Sequence, residues 1–442
     1  MSADKLRINI FDTVLFVARI ANVMVPALGN HLLQVAYLAY RLAEELKLPD
    51  DRRFELFMAG ALHDIGALSL DGRLDLLGFE DNKSDEHSIA GSLILKTFQP
   101  FSKISELIKF HHVPWKNGKG AFQNGESVSR CSHMIHLADR VAVKISGQTL
   151  APGQVQHICH EISVQKGELF VPEHVDAFLN MAGREDIWLD VVSKSIETVL
   201  KRTVQYEEKE VSNEKMLGLS RLIARLISFK SRFTAEHSSG VASVAVEMSR
   251  FSGFSKHDQR LIEIAAYLHD LGKLAIPSPI LEKQDKLSDV ERSIMQSHVY
   301  HTYQVLEPFE MFRIAGFWGA LHQERLNGTG YPFGLTSDEL PMGARIMAVA
   351  DVFTALTENR PYRKGMNTED AKGALKSMVN AGELDGHLVE LVFQHYDEIN
   401  TIRASAQKKT VADHHIFQEI LHCHFDAANN AWMKCPLEPL NP

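Results

Sequence analysis

The stretch AAYLHDLGKLAIP, residues 265–277, decides how the rest of the chain is read. It begins as an apolar helix: Leu261, Ile264, Ala265 and Leu268 recur at helical spacing, and the run ends in the pair His269-Asp270. A buried histidine beside a buried carboxylate needs partners, because an unpaired charge in an apolar interior is costly. The sequence around the pair offers them in a fixed order. His237 precedes it; His298, His322 and Asp351 follow it. Imidazole nitrogen and carboxylate oxygen together suit a first-row divalent metal. An aspartate has two oxygens, so it can bridge a pair of ions.

The same series occurs a second time, nearer the N-terminus, at matching intervals. His31 stands before the pair His63-Asp64 by the interval that separates His237 from His269-Asp270. His87 and His111 are spaced as His298 and His322 are. Asp139, in SHMIHLADRVAV, follows His111 by one position fewer than Asp351 follows His322. Each half then closes on a segment beginning Gly-Glu-Leu, at Gly167 and at Gly382, with a phenylalanine at the same offset, Phe178 and Phe393. An ordered series of this length marks a duplication.

Strand signals are scarce and helical periodicity dominates, so the fold class is all-α, two helical domains in tandem. The expected domains are 1–195 and 216–405, joined by a charged linking helix at 196–215 and followed by a tail at 406–442. A His-Asp pair alone carries little weight. His257-Asp258 is a third such pair, and it reads as a helix start, where an acidic residue suits the dipole.

Composition narrows the function classes. The 442 residues carry a formal net charge of −9 with 22 histidines. That balance argues against a general DNA or RNA binder, which would show a basic face. An anionic substrate would have to be held by local cations or metals. Four cysteines, none in a CxxC pair, point to a reduced, cytoplasmic setting. The longest apolar run, Val14 to Val25, is interrupted by Arg19 and Asn22, so no membrane span is expected. The tail holds His414, His415, His422, Cys423, His424 and Cys435 in no standard zinc spacing, and is read as a packing helix.

Residues 231–395 resemble the HD-GYP phosphodiesterases, a branch of the HD metallohydrolase superfamily. The matching text is long: FTAEHSSGVA, LHDLGKLAIPSPILEKQDKLSDVE, MQSHVYHTYQVL, LHQERLNGTGYPFGL and ELPMGARIMAVADVFTALTENRPYR. The resemblance implies an HD-type helical core in each half, a centre of two divalent ions (Fe, Mn, Ni, Co or Mg), and hydrolysis of a cyclic dinucleotide, cyclic di-GMP or cyclic GMP-AMP, to the linear dinucleotide in bacterial signalling. Carried over by position, the metal ligands are His237, His269, Asp270, His298, His322 and Asp351. Asp270 would bridge and Lys273 would approach the phosphate, making these two the catalytic residues. Gly330, Tyr331 and Pro332 form the GYP element. With Arg325, Arg345, Arg360 and Arg363 they are the candidate substrate contacts. Two metals would supply an activated water and polarise the phosphoryl oxygens. Oligomeric state stays open, with a homodimer as one expectation.

Three departures from the family pattern stand out. The paired histidines usual in the family are His322-Gln323 here. Asp-Gly before GYP is Asn327-Gly328. Phe233 occupies the place of a carboxylate that serves a third metal in some relatives, which favours two. The N-terminal copy is the converse. It keeps His31, His63, Asp64, His87, His111, His112 and Asp139, a possible second metal site. Yet Ala67 stands where Lys273 does, and HHVPWKNGKGAF replaces the GYP loop. This copy is expected to be degenerate or regulatory. Two other readings stand beside the phosphodiesterase: an HD-superfamily nucleotidase, and a catalytically inert regulator that binds the cyclic dinucleotide.

Overall fold

The computed structural model describes residues 9–24, 29–69, 84–145, 153–206, 213–230, 232–360, 363–426 and 431–432. Among these the chain is helical. Its described strands are two short hairpins, Phe122–Gln123 with Glu126–Ser127 and Phe425–Asp426 with Ala431–Trp432. The body of the chain divides into two compact units, residues 9–210 and residues 211–416.

The first unit contains α1 (Ile10–Met24), α2 (His31–Glu45), α3 (Asp50–Leu62), α4 (Ser84–Lys96), α5 (Ser105–Lys109), α6 (Arg130–Val143), α7 (Gln154–Val164), α8 (Pro172–Ala182), α9 (Glu185–Val191) and α10 (Ile196–Thr203). The second contains α11 (Asn213–Lys230), α12 (Arg232–Phe251), α13 (Lys256–Leu268), α14 (Ser278–Leu281), α15 (Asp289–Gln296), α16 (His298–Leu306), α17 (Arg313–Ala320), α18 (Met342–Thr357), α19 (Thr368–Asn380), α20 (Gly386–Gln394) and the start of α21 (Tyr396–His424).

The internal repeat of the sequence reappears as a repeat of packing. α3 packs on α2 as α13 packs on α12; α6 packs on α2 as α18 packs on α12; α4 meets α5 as α16 meets α17. The apolar faces explain the core of each unit. On α13, Leu261, Ile262, Ile264, Ala265, Ala266 and Leu268 are all buried. On α18 the buried set includes Ile346, Met347, Val349, Ala350 and Phe353. Ser255 caps α13 by accepting the Asp258 N–H at 3.1 Å, so His257-Asp258 occupies that helix's first turn.

Both His-Asp pairs sit where a helix ends. α3 stops at Leu62 and α13 at Leu268. Each pair is followed by a turn of 3-10 helix, Ile65–Ser69 and Leu271–Ala275. A glycine is needed in each turn. A Cβ on Gly272 would lie 1.8 Å from the His298 carbonyl oxygen, and one on Gly66 would lie 2.0 Å from that of His87. The turn therefore presses against the helix that brings the next histidine. In the second unit the contact is tied further: the Gly272 N–H donates to Thr302 Oγ1 at 2.8 Å, and that hydroxyl donates to the His269 carbonyl at 3.0 Å.

The boundaries differ from the sequence expectation in two places. The segment 196–215 is not one linking helix. Its apolar stripe, Ile196, Val199 and Leu200, is buried, and α10 packs on α2 and α9 of the first unit. Arg19 pairs with Glu197 at 3.0 Å, and Tyr40 OH accepts the Gln205 N–H at 3.0 Å. α11, from Asn213, instead packs on α12 and α13. The tail boundary at 405 falls inside α21, which continues unbroken past it. His414 and His415 lie on this helix; the side chains of His422, Cys423 and His424, and Cys435 as a whole, lie outside the described residues. No described helix is long and apolar enough to cross a membrane.

Candidate metal centres

Six side chains expected as ligands in the second unit converge. His237 comes from α12, His269 and Asp270 from the end of α13, His298 from the first position of α16, His322 from just after α17, and Asp351 from α18. All six are buried. Local backbone geometry aims three of the histidines. The Nδ1 atoms of His269, His298 and His322 lie 2.6–2.7 Å from the carbonyl oxygens of Ala266, Met295 and Gly319, each three residues back. A carbonyl can only accept, so each Nδ1 carries the proton and each Nε2 presents its lone pair inward.

Asp270 sits between them. Its Oδ2 lies 3.2 Å from His269 Nε2, and its Oδ1 lies 3.3 Å from His298 Nε2 and 4.0 Å from His322 Nε2. Asp351 Oδ1 lies 3.0 Å from His237 Nε2. Ligands that share an ion at about 2.0–2.2 Å are themselves about 3 Å apart. The Nε2 atoms of His269 and His298 are buried without a hydrogen-bond partner despite carboxylate oxygens at that distance. Such orphaned, converging lone pairs are the arrangement a cation satisfies and a hydrogen bond does not. His237, His269 and Asp351 form one group able to hold an ion, and His269, Asp270 and His322 another. The donor set therefore fits divalent metals.

Without a metal the electrostatics divide the cluster: His322 is held neutral, whereas His237 is held protonated and would give up that proton to an ion. Burial works to raise Asp270, but His269 and Lys273 hold its carboxyl well below the usual carboxylate range. Burial pushes His322 down to about 3, which keeps it neutral. Burial likewise opposes charge on His237, yet its hydrogen bonds to Asp351 and Glu358 outweigh it and lift the imidazole to about 9.

Around the cluster the expected substrate contacts divide. Lys273 Nζ is 2.6 Å from Asp270 Oδ2 and a quarter of its side chain is exposed. Tyr331 OH donates to Gln323 Oε1 at 3.2 Å, and Gln323 Nε2 donates to Asp351 Oδ2 at 3.0 Å, so the tyrosine of the GYP element reaches the metal ligands through one amide. Gly330 is required by the loop itself: a Cβ there would lie 2.4 Å from Glu324 Cα and from the Arg325 nitrogen. The peptide from Tyr331 to Pro332 is cis. Arg325 donates to the carbonyls of Glu324 and His322 at 2.8 and 3.3 Å. Arg360 pairs with Glu358 at 2.8 Å. Arg345 does not reach the cluster. Its guanidinium donates to the carbonyls of Leu340 and Ser337 and pairs with Asp385 at 3.1 Å, so it staples a loop to α20. Arg363 donates to the Ala355 carbonyl. Pro361 and Tyr362 of RPYR, and the side chain of Phe233, lie outside the described residues.

Two residues escape a reading of the sequence, both glutamates. Glu324 is buried and accepts the N–H groups of Phe333 and Leu335 at 2.7 and 3.0 Å, anchoring the GYP loop. Glu358 is buried and holds His237 Nδ1 at 3.1 Å. The sequence around the second, ALTENR, is polar, so nothing there singles out Glu358.

The first unit assembles the same constellation. Asp64 Oδ2 faces His63 and His31 at 3.1 and 3.9 Å, while Oδ1 faces His87 and His111 at 3.3 and 3.7 Å. His31 Nε2 is 3.1 Å from Asp139 Oδ1. His63 and His111 again direct Nδ1 to carbonyls three residues back, at 2.8 and 2.7 Å. The Nε2 atoms of His31, His63 and His111 are buried and unpartnered. His112 Nε2 is 2.9 Å from His87 Nε2, and Asp64, His87, His111 and His112 form one group able to hold an ion. Two features separate the copies. Where Gln323 bonds Asp351, the first unit has Arg140 on Asp139 Oδ2 at 2.6 Å. Where Lys273 stands, buried Ala67 presents no charge.

Comparison with known proteins places both units in one domain family. An HD domain profile matches residues 28–144 and a second HD domain profile matches residues 221–388. The chain is 29% identical over 376 residues to 3'3'-cGAMP-specific phosphodiesterase 1 of Vibrio cholerae serotype O1, covering 82% of this chain and 86% of that protein. It is 36% identical to the cyclic di-GMP phosphodiesterase response regulator RpfG of Xanthomonas campestris pv. campestris, covering 40% of this chain and 48% of that one. The fold is similar to the crystal structure of a cyclic GMP-AMP specific phosphodiesterase of V. cholerae, V-cGAP3, with a TM-score of 0.58 and 19% identity over 90% of this chain and 97% of the other. The chain is thus a tandem HD-domain protein whose second domain belongs to the HD-GYP branch of that family.

Proposed function

We propose that the second HD domain hydrolyses a phosphodiester bond of a cyclic dinucleotide, releasing the linear dinucleotide. The observation that carries this reading is the pair of ligand groups that share His269, with Asp270 turning one oxygen toward His269 and the other toward His298 and His322. His237, His269 and Asp351 would hold one divalent ion; Asp270, His322 and His298 would complete the place of a second. Ions held there would supply Lewis acidity and lower the pKa of a bound water.

The chain's own groups do the rest. The backbone carbonyls behind His269, His298 and His322 fix three imidazoles in one tautomer before substrate arrives, so no reorganisation is needed. Lys273 brings an ammonium to the edge of Asp270, where it can meet the charge that grows on a phosphoryl group. Tyr331 and Gln323 tie the GYP loop to Asp351, so the loop and the ligands keep one register. Misplacement by about 1 Å can cost about a hundredfold in such a site.

A second reading rests on Gln323. Its amide is engaged with Asp351 and Tyr331, whereas His112 of the first domain joins the metal-binding group. A weakly held second ion would leave a protein that binds the cyclic dinucleotide without cleaving it. For the first domain we propose a metal-binding but non-hydrolytic copy, because it has the ligands and lacks the lysine. Incubation of metal-replete protein with cyclic di-GMP and 3'3'-cGAMP side by side separates the readings. Linear dinucleotide with either substrate supports the enzyme. Saturable binding without any product supports the inert regulator.

A further inference from the structure

His237 is held differently from the other histidines of its cluster. The Nδ1 atoms of His269, His298 and His322 rest on neutral backbone carbonyls. His237 Nδ1 instead faces both carboxylate oxygens of Glu358 at 3.1 Å, while Nε2 points to Asp351 Oδ1 at 3.0 Å. His237 lies on α12 and Glu358 just beyond the end of α18, far apart in sequence. A carboxylate behind an imidazole fixes its tautomer, as a carbonyl does, and also makes the nitrogen on the far side a stronger donor to a metal.

Glu358 is itself fixed from two sides. Arg360 donates to Oε1 from Nε at 2.9 Å. Gln407, from α21, donates Nε2 to Oε2 at 2.9 Å. The direction of that amide is set by Arg403, which donates to Gln407 Oε1 and leaves the NH2 group for Glu358. Arg403 and Gln407 are both buried. Space for the amide comes from Gly240, one turn after His237 on α12. A Cβ at that position would lie 2.8 Å from Gln407 Nε2. Arg360 and Gln407 thus converge on one carboxylate whose remaining edge faces one histidine.

We propose that Glu358 is a positioning residue for the metal centre: held by Arg360 and Gln407, it orients His237 and strengthens its bond to the ion. The inference rests on His237 being a metal ligand. It goes beyond that assignment by naming the residue that sets the strength of the first ion's binding, and by giving Arg360 a role behind the metal instead of on substrate.

The test is titration of metal-stripped full-length protein with Mn2+, comparing the native residues with Glu358→Gln, Glu358→Asp and His237→Ala. All four proteins also carry His63→Ala and Asp64→Ala, so that the first domain contributes no signal. Glu358→Gln keeps the shape and an acceptor oxygen but removes the charge, and it is expected to weaken the tighter Mn2+ site by about 10–100-fold. Glu358→Asp should recover part of the loss. In Glu358→Gln, saturating Mn2+ should restore kcat, with thermal stability of the metal-free protein unchanged. Unaltered Mn2+ affinity in Glu358→Gln, alongside a clear loss in His237→Ala, overturns the proposal. Unaltered affinity in His237→Ala overturns the ligand assignment beneath it. A fall in metal-free stability with no change in affinity makes Glu358 a packing residue and also overturns the proposal.

Discussion

At the scale of single residues, Asp270 turns one oxygen toward His269, which both candidate ligand groups share, and the other toward His298 and His322. Asp270→Ala removes contacts to His269, His298 and His322 together and leaves Lys273 without its partner. It is expected to abolish turnover and to lower bound metal in the second domain toward zero, measured by elemental analysis and product formation. Near wild-type activity in that variant contradicts the assignment. Gln323 makes a finer test. At the corresponding place His112 stands 2.9 Å from His87. Gln323→His should add an imidazole and tighten the more weakly held ion by about tenfold or more, read by Mn2+ titration. Unchanged affinity and stoichiometry mean that position 323 serves only to tie Tyr331 to Asp351. The candidate ligands are legible in the sequence because histidine and aspartate are uncommon in apolar helices and their spacing recurs. Glu358 and Glu324 are not, because what makes them matter is which distant backbone or side chain folds against them. Arg345 shows the same limit from the other side. Its charge suggests a phosphate contact, and only the fold shows its donors taken by Leu340, Ser337 and Asp385.

At the scale of elements, the site depends on how closely the turn after the His-Asp pair approaches α16. Gly272→Ala places a methyl against the His298 carbonyl. Overpacking of this kind costs about 1–3 kcal/mol, and here the strain falls on a ligand-bearing helix. Lower thermal stability together with weaker metal binding is expected; a neutral effect on both contradicts the close approach. The GYP loop offers the contrasting case. Glu324→Ala leaves the N–H groups of Phe333 and Leu335 without their acceptor, at a cost of about 1–3 kcal/mol each. Because Glu324 holds the loop and not the ions, KM for the cyclic dinucleotide should rise while metal content stays at the wild-type level. Loss of metal in this variant would show that the loop supports the ligands. Helical periodicity makes α13 readable in advance, through Leu261, Ile264, Ala265 and Leu268. The linking helix is not, because charge dominates its composition while its three apolar residues, Ile196, Val199 and Leu200, are buried as α10 packs on α2 and α9.

At the scale of the whole molecule, the duplication separates two requirements that a single-domain enzyme combines. Both units bring a His-Asp pair, three further histidines and a distant aspartate together. Only the second adds Lys273 beside the aspartate and a glutamate-anchored GYP loop tied to the ligands by Gln323. The first has the fuller set of histidines, but Ala67 stands in place of the lysine and Arg140 occupies an oxygen of Asp139. The repeat is visible in sequence because both halves of the chain keep the ligand spacing. The difference in role shows only at the positions around the ligands. If each domain holds metal on its own, removing the His-Asp pair of either one should leave bound metal in the other, read by elemental analysis of the purified variants.

The most direct measurement compares hydrolysis of 3'3'-cGAMP and cyclic di-GMP by two full-length variants. One carries His63→Ala with Asp64→Ala, the other His269→Ala with Asp270→Ala. The account predicts that the first retains phosphodiesterase activity and the second loses it by about a thousandfold or more, about 4 kcal/mol of transition-state stabilisation. Loss of activity in the first variant, with its fold and the metal of the second domain intact, would contradict the assignment of catalysis to the second domain.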